Sequence, residues 1–497
     1  MKMLNHNNRL EYNQYFTPKE IVESAVNLLD LKKPSKVIDP SAGEGIFLDV
    51  VCKKWENCNL FGIDIDDGII KKCRDKFKRG TFYVGNALLD KYYKWSKYRS
   101  ILNNGKFDLV VGNPPFSSWF DRVKEKKILE LYELGKKQKQ RIKQKQINLF
   151  KKEIKKILSS QAIEILFLEK FIEITKNNGN IVIVLPDGIL SNPKYQYVRE
   201  FILKKCFVKY ILNLPRNIFK HTSAKTSVLI LEKRDNETKL QEEKTILIKV
   251  DFKKHKNNLK NKIKINSRNL GKRMDYNYYD IIKNSKLDLL QKREIKLAEL
   301  NNFITCFKTG KTLYGKQRIF TKNGLRFLHA TNIAEIGINY KKDERFIEPN
   351  SPMDFKNAYV KINDILFVRV GVGCAGRVAV VLDEKDIGVA SDYIHILRVK
   401  DINPYYVAIY LKTKFGKESI EVLKHGVGTI SINKSDVCSI QIPVVSIKIQ
   451  EGIEKKYKKV HKEWKSAIDN NYDLCIFEKK MKNIIKELEN ILESNKI

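Results

Sequence analysis

Through the first 235 residues, short β-branched and aliphatic runs alternate with helix-like stretches, and this alternation most constrains the fold. Runs at Lys36–Asp39, Leu60–Asp64, Thr81–Gly85, Phe107–Gly112, Asn180–Leu185, Val208–Leu212 and Thr226–Leu231 read as strands. Strands separated by helices build a largely parallel sheet covered on both faces. The last two runs are joined only by a loop, too short for a crossover helix, so at least one of them should run antiparallel. The expectation is an α/β domain over residues 1–235, Rossmann-like, with a mixed seven-stranded sheet.

The rest of the chain reads differently. Residues 236–290 are Lys/Asn-rich and weakly patterned, as a linker or peripheral layer would be. Residues 291–445 carry strand-like runs (Ile365–Val370, Val378–Leu382, Ile394–Val399) and read as a separate α+β unit. Residues 446–497 form a helical segment. Its apolar positions Ile453, Tyr457, Val460 and Trp464 recur at three- and four-residue steps, suited to packing on the body or on a partner helix.

Composition narrows the partners. A formal net charge of +37 favours a polyanion, because lysines and arginines that neutralise phosphates release condensed counterions. A membrane surface and plain solvated lysine-rich faces are the competing readings. No stretch is apolar enough to span a bilayer and no secretory leader precedes Thr17, so a cytoplasmic, nucleoid-associated protein is expected. The eight cysteines are scattered, without a CxxC pair, so no metal is expected. The cationic stretch from Asp121 to Lys156 reads as a solvated helix or loop, or as a clamp over the catalytic face.

Two strand ends carry chemistry. The run from Val37 through Asp39-Pro40-Ser41-Ala42-Gly43-Glu44-Gly45 to Leu48 is a strand, a small-residue turn and a helix start, where backbone can approach a ligand closely. About twenty residues on, Asp64 ends a second strand and can accept hydrogen bonds from both ribose hydroxyls. Both NAD and S-adenosylmethionine fit such a pair. Two details favour the second. Leu48 replaces the third glycine of a dinucleotide fingerprint, and Asp39 inside the turn would repel a pyrophosphate but suits an ammonium and a sulfonium. Upstream, Thr17-Pro18 reads as a helix N-cap followed by proline at the first helical position.

The second strand end is Gly112-Asn113-Pro114-Pro115-Phe116. Two prolines stiffen the turn, since neither has an N–H and both have fixed φ. Methyl transfer to an exocyclic amine wants this arrangement, because the nitrogen lone pair is delocalised into its ring. The Asn113 oxygen and the Pro114 carbonyl can accept the amine hydrogens and aim the lone pair, while Phe116 stacks on the ring.

Taken together, Asp39-Pro40-x-x-Gly43-x-Gly45, Asp64 and Asn113-Pro114-Pro115-Phe116 resemble N6-adenine DNA methyltransferases of the type I modification-subunit and related single-chain kind. The resemblance continues through Gly179–Leu190, Tyr197-Val198-Arg199, Leu214-Pro215-x-x-x-Phe219 and Thr226–Ile230, and so covers residues 12 to about 233. It implies an S-adenosylmethionine methyltransferase without a metal. Phe16, Thr17, Pro18, Asp39, Pro40, Ala42, Gly43, Gly45, Asp64 and Asn113 would hold the cofactor. Phe219 would be a second stacking face for an adenine flipped from duplex DNA. Asn86 stands where the family has an Asp near the cofactor adenine.

The second unit resembles one target-recognition domain of type I specificity subunits. The resemblance rests on Ile362–Gly371 with Gly376, Ser391-Asp392-Tyr393, Asn403-Pro404-Tyr405-Tyr406, Gly426-x-Gly428-x-Ile430 and Ile442-Pro443. Arg273-Met274-Asp275-Tyr276 resembles the lead-in to such a domain. Base-reading candidates are polar and basic residues around Lys311–Arg318 and His329–Asn332, where a side chain could enter the major groove. The implied protein methylates an asymmetric site as a monomer, with a dimer through the C-terminal helix as the alternative. Any restriction nuclease would be a separate subunit. Competing readings are an rRNA or protein-glutamine N-methyltransferase and a non-catalytic specificity protein.

Overall fold

The computed structural model describes residues 17–89, 107–116, 122–136, 157–216, 218–219, 225–238, 241–253, 256–425 and 430–494, with only the backbone described for 252, 253, 256–258 and 260. Phe16, Gly426, Gly428 and most of the cationic stretch after Asp121 lie outside the described residues. The chain divides into two compact units, Met1–Tyr279 and Asp280–Ile497.

In the first unit a nine-stranded sheet runs in the order β3-β2-β1-β4-β5-β7-β6-β8-β9. The strands are β1 (Lys36–Asp39), β2 (Asn59–Asp64), β3 (Thr81–Val84), β4 (Phe107–Gly112), β5 (Thr175–Pro186), β6 (Cys206–Asn213), β7 (Thr226–Lys233), β8 (Thr245–Lys253) and β9 (Lys256–Ile265). Strands β1 to β5 are parallel, and β7 is inserted antiparallel between β5 and β6. The antiparallel strand demanded by the short loop is therefore β7.

The seven expected strands are all present, but the sheet has two more. Residues 236–290 do not form a linker: β8 pairs parallel with β6, and β9 closes the edge antiparallel to β8. The lysines and asparagines conceal a real pattern, in which Leu247, Ile248, Val250 and Ile263 are buried. A lysine-rich outer strand also resists pairing with another chain. The presumed lead-in is likewise part of this unit, since Met274 N–H donates to Leu190 O (2.9 Å) and Tyr276 N–H to Asn213 Oδ1 (2.6 Å).

Both faces of the sheet are covered, as period-two alternation requires. Val37, Leu109, Val111, Val182 and Val184 join one apolar cluster with helices α1 (Lys19–Asn27) and α2 (Ile46–Lys54). Ile38, Val110, Ile181 and Ile183 join the other, with helix Ile163–Ile174. Each such side chain contributes roughly 1.5–3 kcal/mol on burial. Strand order reverses between β1 and β4, and ligands bind outside the carboxyl ends of strands at such a switch point.

The second unit is α+β. A four-stranded antiparallel sheet has the order β11 (Ile304–Thr309), β17 (Ile394–Val399), β14 (Ile365–Val368), β15 (Val378–Val380). Beside it, β12 (Leu325–Leu328) pairs with β13 (Phe346–Ile347) and β16 (Val389–Ala390). The helical tail is two helices, Ile447–Asp469 and Cys475–Glu493, broken by a turn in which Asn471 takes φ 57°. Its apolar stripe is spent within this unit: Ile453, Tyr457, Val460 and Trp464 share a core with Tyr405, Tyr406 and Leu488.

Candidate active site

The turn after β1 is built around a buried acid. Asp39 is 1% exposed, and its Oδ1 accepts from Ser41 N–H at 2.9 Å. Removal from water pushes its carboxyl up to about 8, and the nearby Asp64 charge pushes the same way. A Cβ on Gly112 would lie 2.5 Å from Asp39 Oδ1, so only glycine lets the end of β4 pass this close. Asp64 accepts from Gly43 N–H (2.9 Å) and from Asp66 N–H (3.1 Å), tying the second strand end to the first turn. Burial raises the Asp64 carboxyl as well.

The catalytic turn meets the upstream segment directly. Asn113 Nδ2 donates to Thr17 Oγ1 at 3.2 Å, and Thr17 is 4% exposed. This corrects the capping expectation: Thr17 is not the N-cap of α1. Pro18 takes that position without a side-chain bond, and its carbonyl accepts from Ile21 N–H and Val22 N–H. The Thr17 hydroxyl accepts from Asn113 instead.

These residues enclose a cavity of about 220 Å³. Thr17, Asp39, Pro40, Ala42, Gly43 and Asp64 line it, and so do Asn86 and the whole Asn113-Pro114-Pro115-Phe116 turn. No Lys, Arg or His side chain lines it among the described residues, whereas Asp39, Glu44 and Asp64 do. A pocket lined by three acids, with Lys72 outside it and paired with Glu44 (3.0 Å), disfavours a pyrophosphate. It suits a small cationic ligand that would restore the Asp39 charge, and S-adenosylmethionine meets this test.

Some expected residues stand apart. Gly45 is the N-cap of α2 and does not line the cavity. Asn86 lines it, but its Oδ1 also accepts from Leu88 N–H at 3.0 Å, which ties the amide to its own turn. Phe219 is 2% exposed and shares an apolar cluster with Phe116, yet only Phe116 lines the cavity.

Other residues escaped the sequence reading. Ile65 lines the cavity while 57% exposed, an apolar surface directly after the ribose-type acid. Its signal was available, since an apolar residue between Asp64 and the helix cap Asp66 has no core to enter. Asp187, buried just beyond β5, pairs with Lys225 (2.9 Å) and accepts from Ser227 Oγ (2.6 Å), to which Asn213 Nδ2 in turn donates (2.7 Å). This network fixes the ends of β5, β6 and β7 at the same edge of the sheet. No local spacing reveals it.

Fold and site thus define an α/β protein with a cation-seeking pocket beside a rigid Asn-Pro-Pro-Phe turn. The chain belongs to the N-6 DNA methylase family, whose pattern matches residues 1–301. Residues 314–471 match the type I restriction modification DNA specificity domain. Among curated relatives, the type II methyltransferase M.HincII of Haemophilus influenzae is 25% identical over 232 residues, 46% of this chain and 38% of its own length. The type I restriction enzyme MpnII methylase subunit of Mycoplasma pneumoniae is 26% identical over 235 residues, 44% of this chain and 40% of its own. This chain therefore spans about two-fifths of each of those relatives. The crystal structure of the type IIG restriction endonuclease BpuSI aligns with 96% of this chain and 65% of its own, at 12% identity and a TM-score of 0.42.

Proposed function

We propose that the chain transfers a methyl group from S-adenosylmethionine to N6 of an adenine within a short sequence of duplex DNA. The observation that carries this reading is the cavity that joins the acids Asp39 and Asp64 to the Asn113 turn. When bound, S-adenosylmethionine supplies an electrophilic methyl on a sulfonium. Asp39, Asp64 and Ile65, which line the cavity, would hold its positive end, its ribose hydroxyls and its base respectively.

Asn113 Oδ1 and the Pro114 carbonyl accept the hydrogens of the target amine. That localises the nitrogen lone pair and leaves the departing proton hydrogen-bonded, so positioning and electrostatics suffice without a strong base. The bond from Asn113 Nδ2 to Thr17 sets which end of the amide is the acceptor. Phe116 stacks on the adenine and Phe219 supplies the second face, which requires the base to leave its stack. The second unit selects the sequence, in an asymmetric site, and any nuclease is a separate subunit. The protein acts on DNA in the cytoplasm, at the nucleoid.

Mapping modified adenines after expression in a methylation-free host tests the reading. One modified sequence is expected. Label found in RNA or protein, or no modified adenine, would overturn it.

A further inference from the structure

The second unit presents a loop whose root and tip are set by different means. At the root, Gly310 N–H donates to Ile394 O and Lys311 N–H to Ala390 O, each at 2.9 Å. A Cβ on Gly310 would lie 2.2 Å from Ser391 O, so glycine is what lets the loop press on that backbone. At the far end, Thr321 N–H donates to Phe346 O at 2.8 Å. Between these anchors the chain exposes Tyr314 (62%) and Ile319 (66%) on a stretch that also carries Lys316 and Arg318.

Tyr314 is exposed but not loose. Its hydroxyl donates to Asp392 Oδ2, in the turn between β16 and β17. The backbone carbonyl of Asp392 accepts from Arg369 Nη1 at 3.0 Å, beyond the end of β14. Around this chain of contacts, hydrogen-bonding capacity is left over. Arg318 Nε, Arg369 Nε, Ser391 Oγ and Asp392 Oδ1 have no hydrogen-bond partner among the described residues.

A fixed exposed ring and an exposed aliphatic tip, on a loop that also carries a lysine and an arginine, together describe a surface that a partner completes. The arginine and lysine of the loop fit a polyanion. An aromatic ring held in place and an aliphatic tip do not fit a bare phosphate, whereas they can pack on base edges, as an arginine can donate to guanine. The partner chemistry is the groove of a DNA duplex, read at its bases.

We propose that Tyr314, Arg318 and Ile319 are specificity-determining residues that contact bases of the target sequence, with Asp392 and Arg369 as the residues that position Tyr314. The proposal rests on the DNA-methyltransferase reading above.

Its test uses the full chain as wild type and as Tyr314→Ala, Tyr314→Phe, Arg318→Ala, Ile319→Ala and Asp392→Asn. Each protein is expressed in a methylation-free host, modified adenines are mapped, and each purified protein selects duplexes from a random-sequence pool. Tyr314→Ala and Arg318→Ala are expected to lower methylation at the wild-type sequence at least tenfold and to relax the requirement at one or two base positions. Ile319→Ala, a truncation of an exposed side chain, should relax a neighbouring position.

Tyr314→Phe, which removes the donor, and Asp392→Asn, which removes the charged acceptor, should both relax the same position as Tyr314→Ala, though by less. A purely structural role for Asp392 would lower yield without moving the preferred sequence. Variants that retain the wild-type sequence overturn the proposal. So does uniform weakening on all sequences with a shallower salt dependence, the mark of a phosphate contact. If the wild type enriches a sequence but methylates nothing, the transfer reading fails while this one stands. If it enriches none, this one fails.

Discussion

At the carboxyl ends of β1 and β2 the acids Asp39 and Asp64 are held by the chain's own backbone, through Ser41 N–H and Gly43 N–H. At the loop of the second unit, Tyr314 and Ile319 stand exposed, with the Tyr314 hydroxyl on Asp392. The first arrangement suits a ligand of one fixed shape, for which a pocket can be completed in advance. The second keeps its contact side chains on the surface, which suits a partner that must be told apart from close competitors by the groups it presents. Charge divides the same way. A chain of net charge +37 lines its cavity with carboxylates and no described cation, and puts lysine and arginine on the loop.

The largest expected effect lies in the completed pocket. Asn113→Ala should lower methyl transfer by about 10²–10³-fold, the usual loss when one preorganised hydrogen-bonding group is removed from a transition state. Calorimetric affinity for S-adenosylmethionine should hold. If affinity falls equally, Asn113 belongs to ligand binding and the division of labour within the pocket is wrong.

The acid in that pocket sets a pH dependence. The Asp39 carboxyl is raised to about 8 in the fold against an ordinary 3.8, so between these values the native chain holds a proton that the unfolded chain has lost. Stability of the free protein should therefore fall as pH rises through this window. A cationic ligand wants the carboxylate. Its affinity should rise by up to roughly tenfold per pH unit from 6 towards 8 and level off above, with up to one proton released on binding at lower pH. Calorimetry in buffers of differing ionisation enthalpy measures both. A flat profile would mean that Asp39 does not face the positive end.

A third effect separates the units. Gly310→Ala must displace the loop root from Ser391, because its Cβ would overlap a backbone oxygen that cannot give way. About a tenfold loss of rate at the target sequence is expected, on the scale that a misplaced contact costs, with cofactor affinity unchanged. Equal loss on all sequences would show that the loop only supports the fold.

These contrasts also explain what the sequence disclosed. Asp39, Gly43, Asp64 and Asn113 to Phe116 were readable because each sits at the end of an apolar strand, where a polar or small residue has no core role. Strands β8 and β9 escape a reading by sequence because their lysines and asparagines imitate a linker. Contacts such as Asp187–Lys225 and Tyr314–Asp392 join distant segments, and only tertiary folding creates them. Thr17 lies between these cases: its position was legible as a helix start, but its partner was not.

Thr17 gives the smallest and most discriminating test. Thr17→Val keeps the buried volume and removes the hydroxyl that accepts from Asn113 Nδ2 at 3.2 Å. One neutral hydrogen bond is worth about 1 kcal/mol net, so kcat should fall roughly fivefold. Thr17→Ser, which retains the acceptor, should recover most of the loss. Because the hydroxyl acts on the orientation of Asn113, the KM for S-adenosylmethionine should scarcely move. The opposite split, a raised KM with kcat intact, would place Thr17 against the amino-acid end of the cofactor, and the orientation of Asn113 would then depend on the stiffness of the two prolines that follow it.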